Sequence, residues 1–206
     1  MEPTVLENAL VEDCLARLRD CQTPLEEFRA AGRRISLLLA AEAGKLLDTA
    51  EVQVQTPLEV ATCRKVARPV VLVPILRAGL GMADAFLELF PDAELGHVGL
   101  ERHEATAEAA SYYCKLPGLT GKQIYLLDPM LATGGSLSQA ADLLKAKGAG
   151  KLAAISIIAA PEGVEKIQVN HPDMPLVLGA IDRELDASCY IRPGLGDYGD
   201  RLMGTT

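Results

Sequence analysis

The hydrophobic positions of this chain change rhythm along its length. Between Thr4 and Asp20, Leu6, Leu10 and Cys14 recur every fourth residue, the repeat of one helical face, so a first helix is expected over 4–20. Thr23-Pro24-Leu25-Glu26 reads as a second helix start, with Thr as cap, Pro in the first helical position and Glu in the third. Phe28, Ala31, Ile35, Leu38 and Leu39 then mark a single face, extending to about Leu47. The period drops to two in Glu51–Gln55 (EVQVQ). Leu58–Cys63 is placed to pair with it as a hairpin around Thr56-Pro57.

Beyond the hairpin, short apolar runs alternate with helical patterns. Strands are expected at Val70–Val73, Leu95–Leu100, Ile124–Leu127, Leu152–Ala159 and Leu176–Ile181. Helices are expected at Leu80–Phe90 (closed by Pro91), Leu137–Lys147 and Pro161–Val169. Such alternation predicts an α/β fold, a mostly parallel sheet flanked by helices, with the N-terminal helices and hairpin as an addition. Ligands of such sheets bind outside the carboxyl ends of the strands, so the chemistry is sought just after each run.

Composition narrows the classes. With 206 residues, 49% hydrophobic and 23% charged, the chain can bury one sizeable core. No apolar run reaches membrane-spanning length, and the acidic start MEPTVLENALVED has no basic leader pattern. The expectation is a soluble, untargeted, cytoplasmic protein with no membrane partner. A net charge of −8 argues against nucleic acid as a partner, because phosphate contacts dominate that affinity. It leaves room for a local site that takes a small phosphate. Five scattered cysteines without a CxxC pair argue against a disulfide framework or a zinc site. Cys189 reads as a small, partly buried thiol.

The most informative stretch is IYLLDPMLATGGSLSQAADLLKAKG, Ile124–Gly148. The apolar run stops on an acid, Asp128. Five residues later come Thr133, Gly134, Gly135 and Ser136, and then a helix. One reading is a tight strand-to-helix turn with a hydroxyl cap. The other is an anion site, where glycines admit a ligand and the helix N-terminus faces a phosphate. No lysine follows the glycines, so this is not a Walker loop, and it is not a GxGxxG pattern either. An acid beside a phosphate suits a sugar phosphate, with Asp128 on ribose hydroxyls and Thr133–Ser136 on the 5-phosphate.

Other strand ends add cations. Arg77 follows the Val70 run in VPILRAGLGM, and Arg102 follows the Leu95 run in GLERHEATAEAASYYCKLP. Each reads either as a salt-bridged surface residue or as a ligand for phosphate or diphosphate. The polar, alanine-rich segment to about Ser111 is expected to form a flap, with Lys115 a minor candidate for diphosphate contact. His97 and His103 read as solvent-facing or structural. The C-terminal CYIRPGLGDYGDRLMGT, Cys189–Thr205, holds a proline and four glycines within twelve residues. It reads as irregular, neither strand nor helix: either a solvated tail or a loop presenting main-chain groups to a small planar ligand.

DPMLATGGS, VPILRAGLGM and the C-terminal PGLGDYGD resemble, in order and spacing, the motifs of the uracil phosphoribosyltransferase family among type I phosphoribosyltransferases. The resemblance covers nearly the whole chain. It implies transfer of 5-phosphoribose from 5-phosphoribosyl-1-diphosphate (PRPP) to uracil N1, giving UMP and diphosphate. It implies PRPP contacts from Arg77, Arg102, Asp128, Pro129, Met130, Leu131, Ala132, Thr133, Gly134, Gly135, Ser136 and Asp197. Arg77, Arg102, Asp128 and Asp197 would be the catalytic set, Asp197 through metal-water contact, substrate positioning or proton acceptance. Main-chain groups of Ile191, Gly196 and Tyr198, with Asp197, would hold uracil. Mg²⁺ would arrive mainly on PRPP, without its own protein ligands. A dimer or tetramer of like chains is implied, with GTP a candidate effector. The family's Arg77 turn often has a non-proline cis peptide. One domain is expected over 1–206, divided into an addition (1–66), a PRPP-binding core (67–185) and a uracil loop (186–206).

The chain departs from the family at Glu101, His103, Ala105, Tyr198 and Met203. The Tyr198 side chain is expected to narrow or reshape the base pocket. AAPEG, Ala159–Gly163, matches a further motif of unclear role, read as a strand-to-helix turn. Two rivals share the fold: an RNA-binding pyrimidine-operon regulator, disfavoured by the net charge, and an enzyme for another base, disfavoured by PGLGDYGD.

Overall fold

The structure, a computed structural model, describes residues 2–102 and 109–205. In chain order the elements are β1 (Thr4–Val5), α1 (Ala9–Arg19), α2 (Leu25–Ala43), β2 (Thr49–Gln55), β3 (Val60–Val66), β4 (Val70–Leu76), α3 (Leu80–Leu89), β5 (Glu94–Leu95), β6 (His97–Arg102) and β7 (Ala109–Lys115). Then follow β8 (Gln123–Leu127), β9 (Met130–Leu131), α4 (Gly135–Ala146), β10 (Lys151–Ala159), α5 (Pro161–Asn170), β11 (Leu176–Ile181), β12 (Glu184–Leu185), β13 (Ile191–Arg192) and α6 (Tyr198–Met203).

The central sheet runs β1-β11-β10-β8-β4-β6-β7, with β5 beside β4 and β9 beside β10. Its pairs are parallel except β6 with β7. Both faces are covered, which is why the strand sequences are continuously apolar rather than alternating. Leu72, Tyr125, Leu127, Ile155 and Ile157 pack with Phe28, Ile35, Leu39, Met82 and Phe86 of α2 and α3. Val71, Val73, Ile124, Leu126 and Ala154 pack instead with Leu137, Leu144 and Ile167 of α4 and α5. Pro74 is opposite Leu127 in register, and Leu127 opposite Ile155. The turns that carry Arg77 and Asp128 therefore leave the same edge of the sheet. The predicted hairpin is present as β2–β3, with Gln55 opposite Val60.

Four expectations need correction. The first helix does not begin at Thr4: Thr4 and Val5 pair with Val177 and Leu178. Asn8 caps the helix by accepting from the Leu10 N–H at 2.8 Å. The buried face is Val11, Cys14, Leu15 and Leu18, and Leu10 is exposed. At α2, Thr23 is not the cap. Pro24 holds that position, and the Thr23 hydroxyl donates to the Arg17 carbonyl at 2.7 Å. The C-terminal stretch is not irregular throughout: β13 pairs with β12, and α6 is capped by Asp197. Cys189 is exposed rather than partly buried, and all five cysteines are free.

Candidate active site

Asp128 follows β8 and is half-buried. Its own N–H donates to the Ile155 carbonyl at 3.1 Å, and its Oδ1 accepts the Met130 N–H at 3.3 Å. Burial pushes its carboxyl up to about 6, partly offset by the Met130 hydrogen bond. The chain then runs beside β10 through Met130 and Leu131 and turns at Gly134, whose φ of +71° puts it in the left-handed region. α4 starts at Gly135, so its opening N–H groups lack partners one turn back. The N-cap residue is Gly134, without a side chain to cap; the Thr133 hydroxyl, one residue earlier, accepts the Gly135 N–H at 3.4 Å.

Asp128, Met130, Ala132, Thr133, Gly134, Gly135 and Ser136 border one small hollow, together with Leu131 and Leu137. Pro129 does not border it. Its ring is buried, and its carbonyl accepts the Ile157 and Ile158 N–H groups. AAPEG acquires a role here. A Cβ on Gly163 would lie 2.3 Å from the Ala132 carbonyl oxygen, and one on Gly134 would lie 2.9 Å from the Gly163 carbonyl oxygen. The glycine lets the start of α5 seat directly under the loop. Glu162 fastens the same corner by accepting the Leu185 N–H at 3.0 Å. Sequence reasoning missed Lys166 of α5. Its Cβ lies 3.4 Å from the Cβ position of Gly134, and its Nζ 3.9 Å from that of Gly135. This lysine comes from a neighbouring helix, so no local motif reveals it.

Arg77 follows β4 after a cis Leu76–Arg77 peptide. Its Nη2 donates to Asp200 Oδ1 at 3.0 Å. Gly79 closes that turn, where a Cβ would meet the Leu127 carbonyl at 2.3 Å, so the Arg77 and Asp128 turns abut. Arg102 ends β6 at the same sheet edge; its side chain, His103 and Ala105 lie outside the described residues or atoms. Lys115 is opposite His97 at the far end of the β6–β7 pair, away from that edge.

A second hollow, of about 280 Å³, is bordered by Met130, Ala132, Cys189, Tyr190, Ile191, Gly196 and Asp197, with Ser188. It shares Met130 and Ala132 with the first. Asp197 accepts the Asp200 N–H at 2.8 Å, so its carboxylate caps α6 as well as facing the hollow. The expected effect of Tyr198 on pocket shape is overturned. Its ring is 0% exposed and packs on Phe28 at 5.3 Å between centroids, beneath α2. Only its main chain reaches the site side, where its N–H meets Met130 Sδ at 3.4 Å.

Two other features do not compete. A roomier hollow of 510 Å³ sits by Val66–Val70 and Leu89–Ala93, at the amino end of β4 and so opposite the ligand edge. Ser138, His171 and Asp142 resemble a triad, but one ring nitrogen serves all three. His171 Nε2 lies 3.0 Å from Ser138 Oγ, 3.1 Å from the Ser138 carbonyl and 3.8 Å from Asp142. In a triad the hydroxyl and the acid take opposite ring nitrogens, so this cluster lacks the relay geometry.

Known proteins share the sequence and the fold. The uracil phosphoribosyltransferase family model matches residues 5–205. A uracil phosphoribosyltransferase from Symbiobacterium thermophilum is 46% identical over 98% of this chain and 97% of its own. Another, from Salinibacter ruber, is 44% identical at the same coverage. A solved Aquifex aeolicus protein superposes with a TM-score of 0.91 at 35% identity, over 98% of this chain and 97% of that one. A hypoxanthine-guanine phosphoribosyltransferase from Bacillus anthracis, at 10% identity and a TM-score of 0.53 over 76% of this chain and 80% of its own, shares the fold alone. With the family matched from residue 5 to residue 205, the chain belongs to the uracil phosphoribosyltransferase family.

Proposed function

We propose that this chain transfers the 5-phosphoribosyl group of PRPP to N1 of uracil, releasing diphosphate. The observation that carries the reading is the wall of Met130 and Ala132 shared by the two hollows. A ribose along that wall would join a phosphate at one end to a base at the other. On this reading Thr133–Ser136 take the 5-phosphate, helped by the Lys166 ammonium. Asp128 takes the ribose hydroxyls, and Met130, Leu131 and Ala132 line the path that Pro129 anchors to the sheet. Arg77 and Arg102 take the diphosphate. Main-chain groups of Ile191, Gly196 and Tyr198 read the edges of uracil.

The C1–oxygen bond of PRPP breaks as uracil N1 approaches the opposite face. The bonding pair leaves with diphosphate, positive charge develops on the ribose ring, and N1 gives up its proton. Alignment and charge stabilisation carry such a step. Asp128, once ionised, opposes the ring charge, and Asp197 is assigned the N1 proton because it borders the base hollow. Magnesium, when bound with PRPP, neutralises part of the diphosphate charge. Among the described residues no group of three or more His, Cys, Asp or Glu could hold a metal. Single carboxylates border each hollow, a donor set that fits a cation held largely by substrate oxygens. A cytoplasmic setting, a homo-oligomer and a response to GTP complete the proposal.

The test is UMP formation from uracil, PRPP and Mg²⁺, with and without GTP. Activity that vanishes in an Asp128→Asn, Arg77→Ala double variant supports the reaction and its site. PRPP binding without UMP, but with nucleotide formed from hypoxanthine, would assign the chain to another base. A salt-sensitive gel shift with pyrimidine-leader RNA and no turnover would favour the regulator.

A further inference from the structure

The base loop is tied from outside by two arginines, and one tie ends on a buried carboxylate. Asp182 follows β11 at the ligand edge of the sheet, yet it is 8% exposed. Arg19, the last residue of α1, donates from Nη2 to Asp182 Oδ1 at 2.5 Å and from Nη1 to Oδ2 at 2.8 Å. The same Nη1 donates to the Gly194 carbonyl at 2.8 Å, and the Gly194 N–H donates to Asp182 Oδ2 at 2.9 Å. Both main-chain groups of Gly194 are thereby fixed by one ion pair. Gly194 has φ +67°, and a Cβ there would lie 2.1 Å from the Ile191 carbonyl oxygen. The turn between Ile191 and Gly196 is thus closed on itself and pinned at its middle. The second tie holds the end of the loop. Arg201 donates to the Leu195 carbonyl at 2.7 Å, to the Leu18 carbonyl and to the Asp20 carbonyl at 2.6 Å, and its guanidinium lies 4.3 Å over the Phe28 ring. Both ties end on the last turn of α1 or just past it.

We propose that Arg19 and Asp182 are positioning residues for base binding: their pairing sets Gly194, and through it the main-chain groups of Ile191, Gly196 and Tyr198. The inference rests on the reading of that loop as the uracil site. A half-buried pair is a weak source of stability, because desolvation of the carboxylate offsets its attraction; what it supplies here is geometry. Main-chain recognition has no side-chain freedom with which to correct an error, and displacement by about 1 Å can cost on the order of a hundredfold. The planar guanidinium satisfies both carboxylate oxygens and still reaches the Gly194 carbonyl, which a lysine cannot do.

Arg19→Lys and the isosteric Asp182→Asn test this, each measured for turnover, both KM values and Tm, with ribose 5-phosphate binding as an independent check of folding. The expected result is a uracil KM raised at least about tenfold, with the PRPP KM within twofold and ribose 5-phosphate binding intact. A lowered Tm with unchanged uracil KM in both variants would overturn the proposal and leave a purely structural pair. Equal rises in both KM values would also overturn it. Gly196→Val separates the two layers of the argument. If that variant raises the uracil KM and the Arg19 and Asp182 variants do not, only the positioning role fails. If Gly196→Val leaves the uracil KM unchanged as well, the base-loop reading itself fails.

Discussion

Asp128 and Tyr198 show how far single residues can be read. The acid's place was legible because an apolar run ended on it; its proton affinity was not, since that depends on the β10 chain packed beside it. Folding raises this carboxyl from an ordinary 3.8 to about 6. Between those values the folded protein binds more protons than the unfolded chain, so stability falls as pH rises through the window and the full penalty applies above it. Asp128→Asn therefore raises the Tm of the ligand-free protein at pH 7 and loses that advantage near pH 4, in melts taken across the range. The ionised form is the one that opposes ring charge. Wild-type kcat/KM for PRPP is expected to fall as pH drops through about 6, and a flat profile there would remove Asp128 from that role. Tyr198 is a different case. It lies in a glycine-rich motif and looked like a pocket residue, but the motif continues into α6, which turns the ring into the core. Its hydroxyl is buried without a hydrogen-bond partner among the described residues. Tyr198→Phe is expected to stabilise the fold by up to about 1–3 kcal/mol, the cost of an unsatisfied buried polar group, and to leave the uracil KM unchanged. A lowered Tm in calorimetry would show that the hydroxyl has a partner.

Elements were legible where one period governed them. β4, β8, β10 and β11 are buried on both faces, so their apolar runs mark them with little ambiguity. The start of α1 is not legible because Leu6 belongs to the sheet side of its boundary: its N–H donates to the Leu178 carbonyl at 2.9 Å, a contact 172 residues away in the chain. α6 is not legible in the sequence because its cap, Asp197, stands among glycines that suggest a loop. The support of the phosphate loop was invisible for a similar reason. AAPEG could be seen as a motif, but its purpose lies in a neighbour brought up by the fold. Gly163→Ala forces a Cβ against the Ala132 carbonyl, and that backbone cannot yield without moving the loop. The expected outcome is a PRPP KM raised by about tenfold or more, with the uracil KM little changed. Lys166→Ala keeps the Cβ that lies against the loop and removes the ammonium with its stem. It should raise the PRPP KM less, by a few-fold, and flatten its salt dependence. Equal effects of the two variants on both substrates would argue that α5 supports the whole domain rather than the phosphate end.

At the scale of the molecule, the first and last parts of the chain close the site that the central sheet opens. α6 packs under α2 through Phe28 and Tyr198, and its Asp200 reaches back to Arg77, 123 residues earlier. The Arg77–Asp200 pairing could not be read from the sequence, because each partner taken alone resembles an ordinary surface charge. It has a mechanistic consequence. If Arg77 takes the diphosphate, Asp200, which accepts from its Nη2, competes with the substrate for that cation from the base-side helix. The pair is exposed, 60% at Arg77 and 37% at Asp200. Such pairs are worth about 1 kcal/mol at most, which limits the competition to roughly fivefold. Asp200→Asn keeps an acceptor for the Thr205 hydroxyl, now 2.7 Å away, while removing the negative charge. It should lower the PRPP KM by no more than about fivefold, an effect that shrinks as salt rises. Arg77→Ala, which removes the ligand itself, should raise that KM well beyond this limit. A higher PRPP KM in Asp200→Asn, measured beside wild type at matched Mg²⁺, would reverse the assignment. Asp200 would then belong to the substrate or its metal, and its contact with Arg77 would be the resting position of a binding residue rather than a brake on one.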